Sequence, residues 1–569
     1  MLAKEVIVHC KQLNSDEERN MKKYAMAISV LAAVSLICLP SMGVCKTTAP
    51  SCTVGYFNSF GKSVNTTFID ATLEPAVTGT NPEYCLVHGW ISTQKGEKIG
   101  IEISLPDKAD WNQKLLETGN GGFAGFFQHY YYLFDPSATS QLAAIQRGYV
   151  LAETDTGHQD ANLLDASWAL NNPVAQEDFH YLAVHQTAVV AKAMISHYYG
   201  SSPKYSYFAG CSTGGRQAME SSQRYPDDFD GIISGAPAAN VGAIIGFAWI
   251  QQLEWPDFVA TATGGTPPYA TSSTPTLPNS EMILVQNGVL AACDGTGPAA
   301  DGFINDPSLC NFDPSTLLCP QSSTTNCLTA EQVAVAQRVY NGPQTWDAAT
   351  QKPAQLYFGF ARSGAEANTV GAGAWPVWVG DAGYTPYLGY PNAQYGFAQE
   401  WLQYFVFSDP NWQLGWFDFD SDYLMVDQKI GNLNSYNTNL SPFKAHKAKL
   451  LQYQGWADTC LTPLGTIDYY TKVVDRMGDV DGFYRLFMVP GMDHCGGGVG
   501  PNTVEWLTAL EQWVENKTAP DSIPASGTSP LDQLAMQRPL CRYPKLATFN
   551  AKLPNCDNDR HNAACFTCQ

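Results

Sequence analysis

The chain has 569 residues, 45% hydrophobic and 15% charged, with 32 Lys+Arg against 53 Asp+Glu and a formal net charge of −21. That apolar share excludes wholesale disorder, and the acidic balance excludes nucleic acid or an anionic membrane as the main partner, because phosphate recognition needs clustered Lys and Arg. Sixteen cysteines are more than an ordinary cytosolic enzyme carries and point to an oxidising compartment.

In chain order, the first signal is one of export. Met21-Lys22-Lys23 opens a basic segment, 24–39 is uncharged and mostly apolar, and Ser41-Met42-Gly43 offers small residues at the −3 and −1 positions. Together they predict a signal peptide cleaved near Gly43, with Met21 as an alternative start; the run is under the roughly 18 residues that span a bilayer. A lipid anchor on Cys45 is the rival, set against the bulky Val44 before it. No other stretch reads as transmembrane, so a secreted or periplasmic protein is expected.

From 44 to 240, short β-rich runs (98–105, 114–118, 149–153 and 205–209) alternate with turns and helical stretches, the longest at 179–199. Such alternation predicts an α/β fold, a mainly parallel sheet with helices on both faces. The character changes near Gly242. Residues 261–280 are rich in Thr, Pro, Ser and Gly, and cysteines follow at 293, 310, 319 and 327; residues 375–424 then carry 16 Phe, Trp and Tyr in 50 positions, against 12% for the whole chain. Near Lys447 the earlier rhythm resumes, with strands at 448–453 and 484–489 and helices at 465–477 and 503–515. We read one α/β domain, 44–240 and 441–569, interrupted by an inserted domain at 241–440.

Gly210-Cys211-Ser212-Thr213-Gly214 matches G-x-S-x-G, with a strand before it and a helix opening after it. In that context the sharp turn lifts the serine hydroxyl above the sheet, and the Thr213 N–H, at the helix start, faces the developing oxyanion. A serine that merely packs in the turn is the competing reading. A serine nucleophile needs a base, and the order nucleophile, acid, histidine leaves His446, His494 and His561 after Ser212. His446 lies among Lys444, Lys447 and Lys449, and His561 sits in a Cys-rich tail; His494 follows a strand and opens a glycine loop, where a mobile base belongs. Asp458, closing the strand at 448–453, is the candidate acid that orients the imidazole. If the three converge, Cys211 and Cys495 are brought within disulfide reach, a closure of 284 residues that contributes roughly 5 kcal/mol in the chain-entropy model. Gly119-Asn120-Gly121-Gly122 follows an early strand and offers a second oxyanion donor, Gly121 or Gly122; no Lys-Ser/Thr follows, which argues against a phosphate loop.

These residues, together with Arg224-Tyr225-Pro226-Asp227-Asp228-Phe229-Asp230-Gly231, Gly455–Asp458, Pro490–Gly496 and Arg538-Pro539-Leu540-Cys541-Arg542-Tyr543-Pro544, strongly resemble the tannase and feruloyl esterase family. The resemblance covers essentially the whole mature chain. It implies a secreted α/β-hydrolase with a large inserted lid, cleaving esters of hydroxylated aromatic acids such as gallates and ferulates, or in one branch a terephthalate monoester. It also implies Ser212, Asp458 and His494 as the catalytic triad, Thr213 as an oxyanion donor and Cys211–Cys495 as a bridge. The further pairs implied are Cys52–Cys85, Cys293–Cys310, Cys319–Cys327 and Cys541–Cys568, with Cys556–Cys565 as an extra local bridge and Cys45 and Cys460 left over. Lids of this family carry a calcium loop. Here Asp294, Asp301 and the carbonyls of Ala299 and Phe303 fall at the ligand positions, but Gly297 stands where the family has another Asp, so structural calcium is an expectation with one carboxylate missing.

The reaction expected is two-step hydrolysis of a small-molecule aromatic ester through an acyl-enzyme, with activity falling in acid as the histidine is protonated. The aromatic-rich lid segment is read as core of the lid, with some rings walling the substrate site. The competing classes are a non-catalytic secreted binding protein on a hydrolase scaffold and a peptidase. Oligomeric state and the residues that read ring substituents are not legible at this level.

Overall fold

The computed structural model describes residues 51–569 apart from 78–81, 128–133, 135–142, 161, 257, 259–273, 296–299, 322–324, 348, 370–373, 382–388 and 557–558. The proposed export signal and Cys45 lie outside the described residues.

Nine strands form the central sheet: β1 (Thr66–Glu74), β2 (Tyr84–Ser92), β3 (Lys98–Pro106), β4 (Lys114–Thr118), β5 (Val150–Thr154), β6 (Tyr205–Cys211), β7 (Gly231–Gly235), β8 (Lys449–Gly455) and β9 (Tyr484–Val489). Their spatial order is β1-β2-β3-β5-β4-β6-β7-β8-β9. The pairs β1·β2, β2·β3 and β3·β5 are antiparallel; all those from β5 to β9 are parallel. Burial explains the difference. At the edge, β1 has several exposed positions, whereas β7 and β9 are buried at every residue, as parallel strands covered on both faces must be.

Helices α1 (Ala183–Tyr199), α2 (Thr213–Arg224), α3 (Gly242–Glu254), α4 (Asn279–Cys293), α5 (Ala330–Asn341), α6 (Ala393–Trp401), α7 (Pro463–Met477) and α8 (Trp506–Asn516) carry the rest of the argument. Along β6 the side chains alternate between layers: Tyr207 and Ala209 pack with Trp506, Leu507, Leu510 and Trp513 of α8, while Phe208 packs with Ala218 and Met219 of α2 and with Tyr469 and Val473 of α7. Each large apolar side chain buried in this way contributes roughly 1.5–3 kcal/mol. The strands expected at 98–105, 114–118, 149–153, 205–209, 448–453 and 484–489 and the helices at 179–199 and 465–477 are found within a few residues, whereas β1, β2, β7 and α3 to α6 were not anticipated and one expected helix start is corrected. Thr503 and Val504 do not begin the helix expected at 503–515 but form β10 (Thr503–Val504), which pairs with β11 (Ser522–Thr528); β11 in turn pairs with β12 (Ala535–Cys541). Both are β-branched and gain more from an edge ladder than from a helical first turn.

Between β7 and β8 the chain leaves the sheet for more than 200 residues, which include α3 to α6. This insertion stands over the carboxyl ends of the parallel strands. Its core, with Trp375, Val339, Leu402 and Phe417 fully or nearly buried, is continuous with Phe123, Leu164 and Phe179 of the sheet domain. The described residues accordingly form one compact unit. Among the described residues six disulfides join Cys52–Cys85, Cys211–Cys495, Cys293–Cys310, Cys319–Cys327, Cys541–Cys568 and Cys556–Cys565, the pairing that the resemblance implies. So many bridges suit an oxidising, extracytoplasmic compartment. Among the described residues no helix is long and apolar enough to cross a membrane.

Candidate active site

Ser212 sits between the end of β6 and the start of α2 with φ 64° and ψ −120°, a conformation that L-residues adopt only under constraint. Three backbone hydrogen bonds impose it: the Ser212 N–H donates to the Gly235 carbonyl, and the Ser212 carbonyl accepts from Arg216 and Ala238 N–H. A Cβ at Gly210 would lie 2.4 Å from the Gly214 carbonyl oxygen, so the elbow closes only with glycine there. Beside it, the Thr213 hydroxyl donates to the Gly122 carbonyl, fixing the early glycine loop against the start of α2. Gly122 has φ +53° and lies beside Thr213 on the wall of the pocket, which Gly121 does not line.

His494 follows β9 and is nine-tenths buried; its Nδ1 lies 2.9 Å from Asp458 Oδ2. The Asp458 carboxylate is saturated. Oδ2 also accepts from Gln454 Nε2 at 2.8 Å, and Oδ1 accepts from the Cys460 and Leu461 N–H groups, each at 2.8 Å. Donors of this kind fix the orientation of the carboxylate toward the ring. Trp378 meets the imidazole edge-on, with ring centroids 5.4 Å apart. The Cys211–Cys495 bond, with Cα atoms 5.8 Å apart, ties the residue before Ser212 to the residue after His494. Residues 211, 212, 458 and 494 are thus gathered at one end of the sheet, as the sequence reading requires. The other histidines after Ser212 stand elsewhere: His446 pairs with Asp227 at 3.1 Å and His561 with Asp532 at 3.1 Å.

Above Ser212 a pocket of about 80 Å³, partly open to solvent, runs between the sheet and the insertion. Phe123, Phe179, Phe247, Phe397 and Trp401 supply aromatic wall, and Ser212, Thr213, Arg216 and His180 supply polar groups. The aromatic segment at 375–424 therefore divides. Phe397 and Trp401 face the pocket, while Trp375, Phe405, Trp412 and Phe417 are core of the insertion. Sequence reasoning missed Gln454, which braces the acid from the same strand, and His180, hidden in what reads as an ordinary amphipathic helix. Cys460 is a free, buried thiol on the pocket wall whose N–H holds Asp458.

The expected calcium loop is only partly described, since Gly297 and Ala299 lie outside the described residues. The described carboxylates have other partners. Asp294 accepts from the backbone N–H groups of Asp301 and Gly302, and Asp301 gives both oxygens to Arg538 and Arg560, with Asn305 adding a further donor. Calcium takes six to eight oxygens. The described residues offer two carboxylates, one of them clamped by two guanidinium groups, and the Phe303 carbonyl toward that number.

Comparison with known proteins agrees with this geometry. The family model described as "Tannase and feruloyl esterase" matches residues 85–562. The chain belongs to that family. It is 32% identical over 537 residues to an uncharacterised esterase of Xanthomonas campestris, covering 85% of this chain and 86% of that protein. It is 31% identical to mono(2-hydroxyethyl) terephthalate hydrolase of Piscinibacter sakaiensis, covering 88% and 87%. Feruloyl esterase B from Aspergillus oryzae superposes with a TM-score of 0.72 at 26% identity, covering 91% of this chain and all of that one. As a member of the tannase and feruloyl esterase family with this sheet and elbow, the chain is a carboxylester hydrolase of α/β-hydrolase fold.

Proposed function

We propose that the protein is an exported serine esterase that hydrolyses esters of hydroxylated aromatic acids. The observation that carries this is the Asp458–His494 hydrogen bond set beside a strained Ser212 at the floor of an aromatic-walled pocket. His494 takes the proton from Ser212 as Oγ attacks the ester carbonyl, and Asp458 holds the imidazole in the tautomer that can do so. The oxyanion is met by the N–H groups of Thr213 and Gly122; Gly122 is preferred over Gly121 because it shares the pocket wall with Thr213. His494 then returns the proton to the leaving alcohol, and the same groups activate water against the acyl-enzyme. No step needs a metal.

The aromatic lining supports a ring on the acyl side, since planar side chains offer contact area to a flat ring. A feruloyl esterase and a terephthalate-monoester hydrolase among the similar proteins supply the range of acids to test. Steady-state kinetics on methyl ferulate, methyl gallate and mono(2-hydroxyethyl) terephthalate, with an aliphatic methyl ester as reference, decide between them. Turnover of a hydroxylated aromatic ester well above the aliphatic one is expected, and the reading falls if no aromatic ester is turned over. Export is supported by the basic and apolar segments ending at Gly43; the mass of the secreted protein, expected to begin at Val44, checks it.

A further inference from the structure

Two residues that line the pocket above Ser212 carry side-chain N–H groups with no use in the chemistry described. Among the described lining residues, His180 Nε2 and Trp401 Nε1 are the buried side-chain polar atoms that have no hydrogen-bond partner. Neither is a loose surface group: His180 is 2% exposed and Trp401 9%. Buried donors without acceptors are rare in folded proteins, and in a pocket wall they mark where a ligand supplies the acceptor. Of the other polar side chains of the wall, Ser212 is the nucleophile and several are engaged elsewhere. The Thr213 hydroxyl donates to Gly122, Arg216 donates to the carbonyls of Phe179 and His180, and the Asn240 and Asn434 side-chain oxygens accept from the N–H groups of Gly242 and Val241.

The identity of the His180 donor follows from its other nitrogen. Arg216 Nη1 lies 3.3 Å from His180 Nδ1, and a guanidinium has only protons to give, so Nδ1 accepts and the ring proton resides on Nε2. Burial, with the neighbouring charges of Arg216 and Arg224, holds the imidazole well below the usual histidine range, so the ring is neutral and Nε2–H is a donor. Trp401 Nε1–H can only donate. The two rings meet edge-on, with centroids 5.5 Å apart, one carried by the sheet domain and the other by the insertion. Both lie at helix irregularities. His180 is inside a π turn at Asp178–Leu182, and Trp401 immediately precedes a second π turn at Leu402–Phe407. Such widened turns are retained mainly where a side chain must be aimed.

We infer that His180 and Trp401 are the specificity-determining residues of the pocket, donating hydrogen bonds to a neutral oxygen on the substrate ring, a phenolic hydroxyl or methoxy group remote from the ester. This rests on the proposed aromatic-esterase reading and adds to it which atoms read the ring. A carboxylate at that end of the ring is the less suited acceptor. The guanidinium on the wall is turned to two main-chain carbonyls and presents no open fork, so the remaining donors are neutral.

The test is kcat/KM of wild type, His180→Phe and Trp401→Phe on methyl 4-hydroxycinnamate, methyl cinnamate and monomethyl terephthalate. Phenylalanine keeps the aromatic packing and deletes the N–H. The ratio of 4-hydroxycinnamate to cinnamate is expected to fall about tenfold or more in H180F, and in the same direction in W401F, because a site built for an oxygen acceptor gains nothing from the plain ring. Equal losses on both esters, or no loss, would show packing residues only and overturn the inference; a loss confined to the terephthalate ester would also overturn it, assigning the donors to a carboxylate. If H180F does not fold, competitive inhibition of wild type decides. Free 4-hydroxycinnamate must bind more tightly than cinnamate, and equal inhibition constants contradict the assignment. Should wild type hydrolyse none of the three esters, the broader functional reading fails instead.

Discussion

Asp458 shows how a single carboxylate is prepared for its role. Four donors occupy its two oxygens, and one of them is the His494 ring nitrogen. Other buried acids of this molecule are prepared for nothing comparable and impose a pH dependence instead. Glu254 is fully buried at the end of α3; Oε2 accepts the Leu277 N–H, while Oε1 has no partner. Burial pushes its carboxyl up to about 9, the Leu277 bond only partly opposing the shift. Between the ordinary value near 4.5 and about 9, the folded chain binds a proton that the unfolded chain releases, so stability falls as pH rises through that window. Glu254→Gln removes the dependence. The difference in Tm between E254Q and wild type should therefore grow in favour of the variant from pH 5 to pH 8.5, as read by thermal unfolding, and a difference that stays flat contradicts the assignment.

At the scale of elements, the site is an agreement between two loops that the sequence separates by nearly 300 positions. The elbow after β6 and the loop after β9 are held in register by Cys211–Cys495, across a separation of 284 residues. Cys211→Ala with Cys495→Ala should lower stability by about 2–5 kcal/mol and reduce kcat more than it raises KM, because the base loses its tether before the pocket loses its shape. Chemical unfolding and steady-state kinetics on the double variant check this; unchanged stability and kcat would show that the loops hold their places without the bond. Much of this level was legible in the chain. G-x-S-x-G between a strand and a helix, and the order of Ser212, Asp458 and His494, are local patterns with a geometric reason. The stretch at 503–515 and the β11–β12 hairpin were not legible, because what makes Thr503 and Val504 a strand is a partner more than 20 residues away. His180 was hidden for the same reason: its neighbours along the chain form a good helix, and its contacts with Arg216 and Trp401 come from residues distant in sequence.

On the scale of the whole molecule, the insertion and the C-terminal tail close over the sheet without becoming a separate body. One junction is electrostatic. Asp301, from the insertion, is 2% exposed in its side chain and lies between Arg538, 2.7 Å away, and Arg560, both from the C-terminal region. The sequence resemblance implies calcium on this loop; in the structure the Asp301 carboxylate is engaged by two guanidinium groups. Asp301→Asn should cost about 3–5 kcal/mol by leaving two largely buried arginines short of their counter-charge. Chelation by EDTA should leave Tm unmoved, and a Tm that falls on chelation and returns with added calcium would contradict the clamp as the sole tie.

The central claim is that one hydroxyl, raised by a strained turn into an aromatic pocket, performs the chemistry. Turnover of an aromatic methyl ester by Ser212→Ala, measured beside wild type at matched folded concentration, tests it most directly. A fall in kcat of about 10³-fold or more, with an unchanged melting temperature, is the predicted result. Turnover at the wild-type rate would contradict the account.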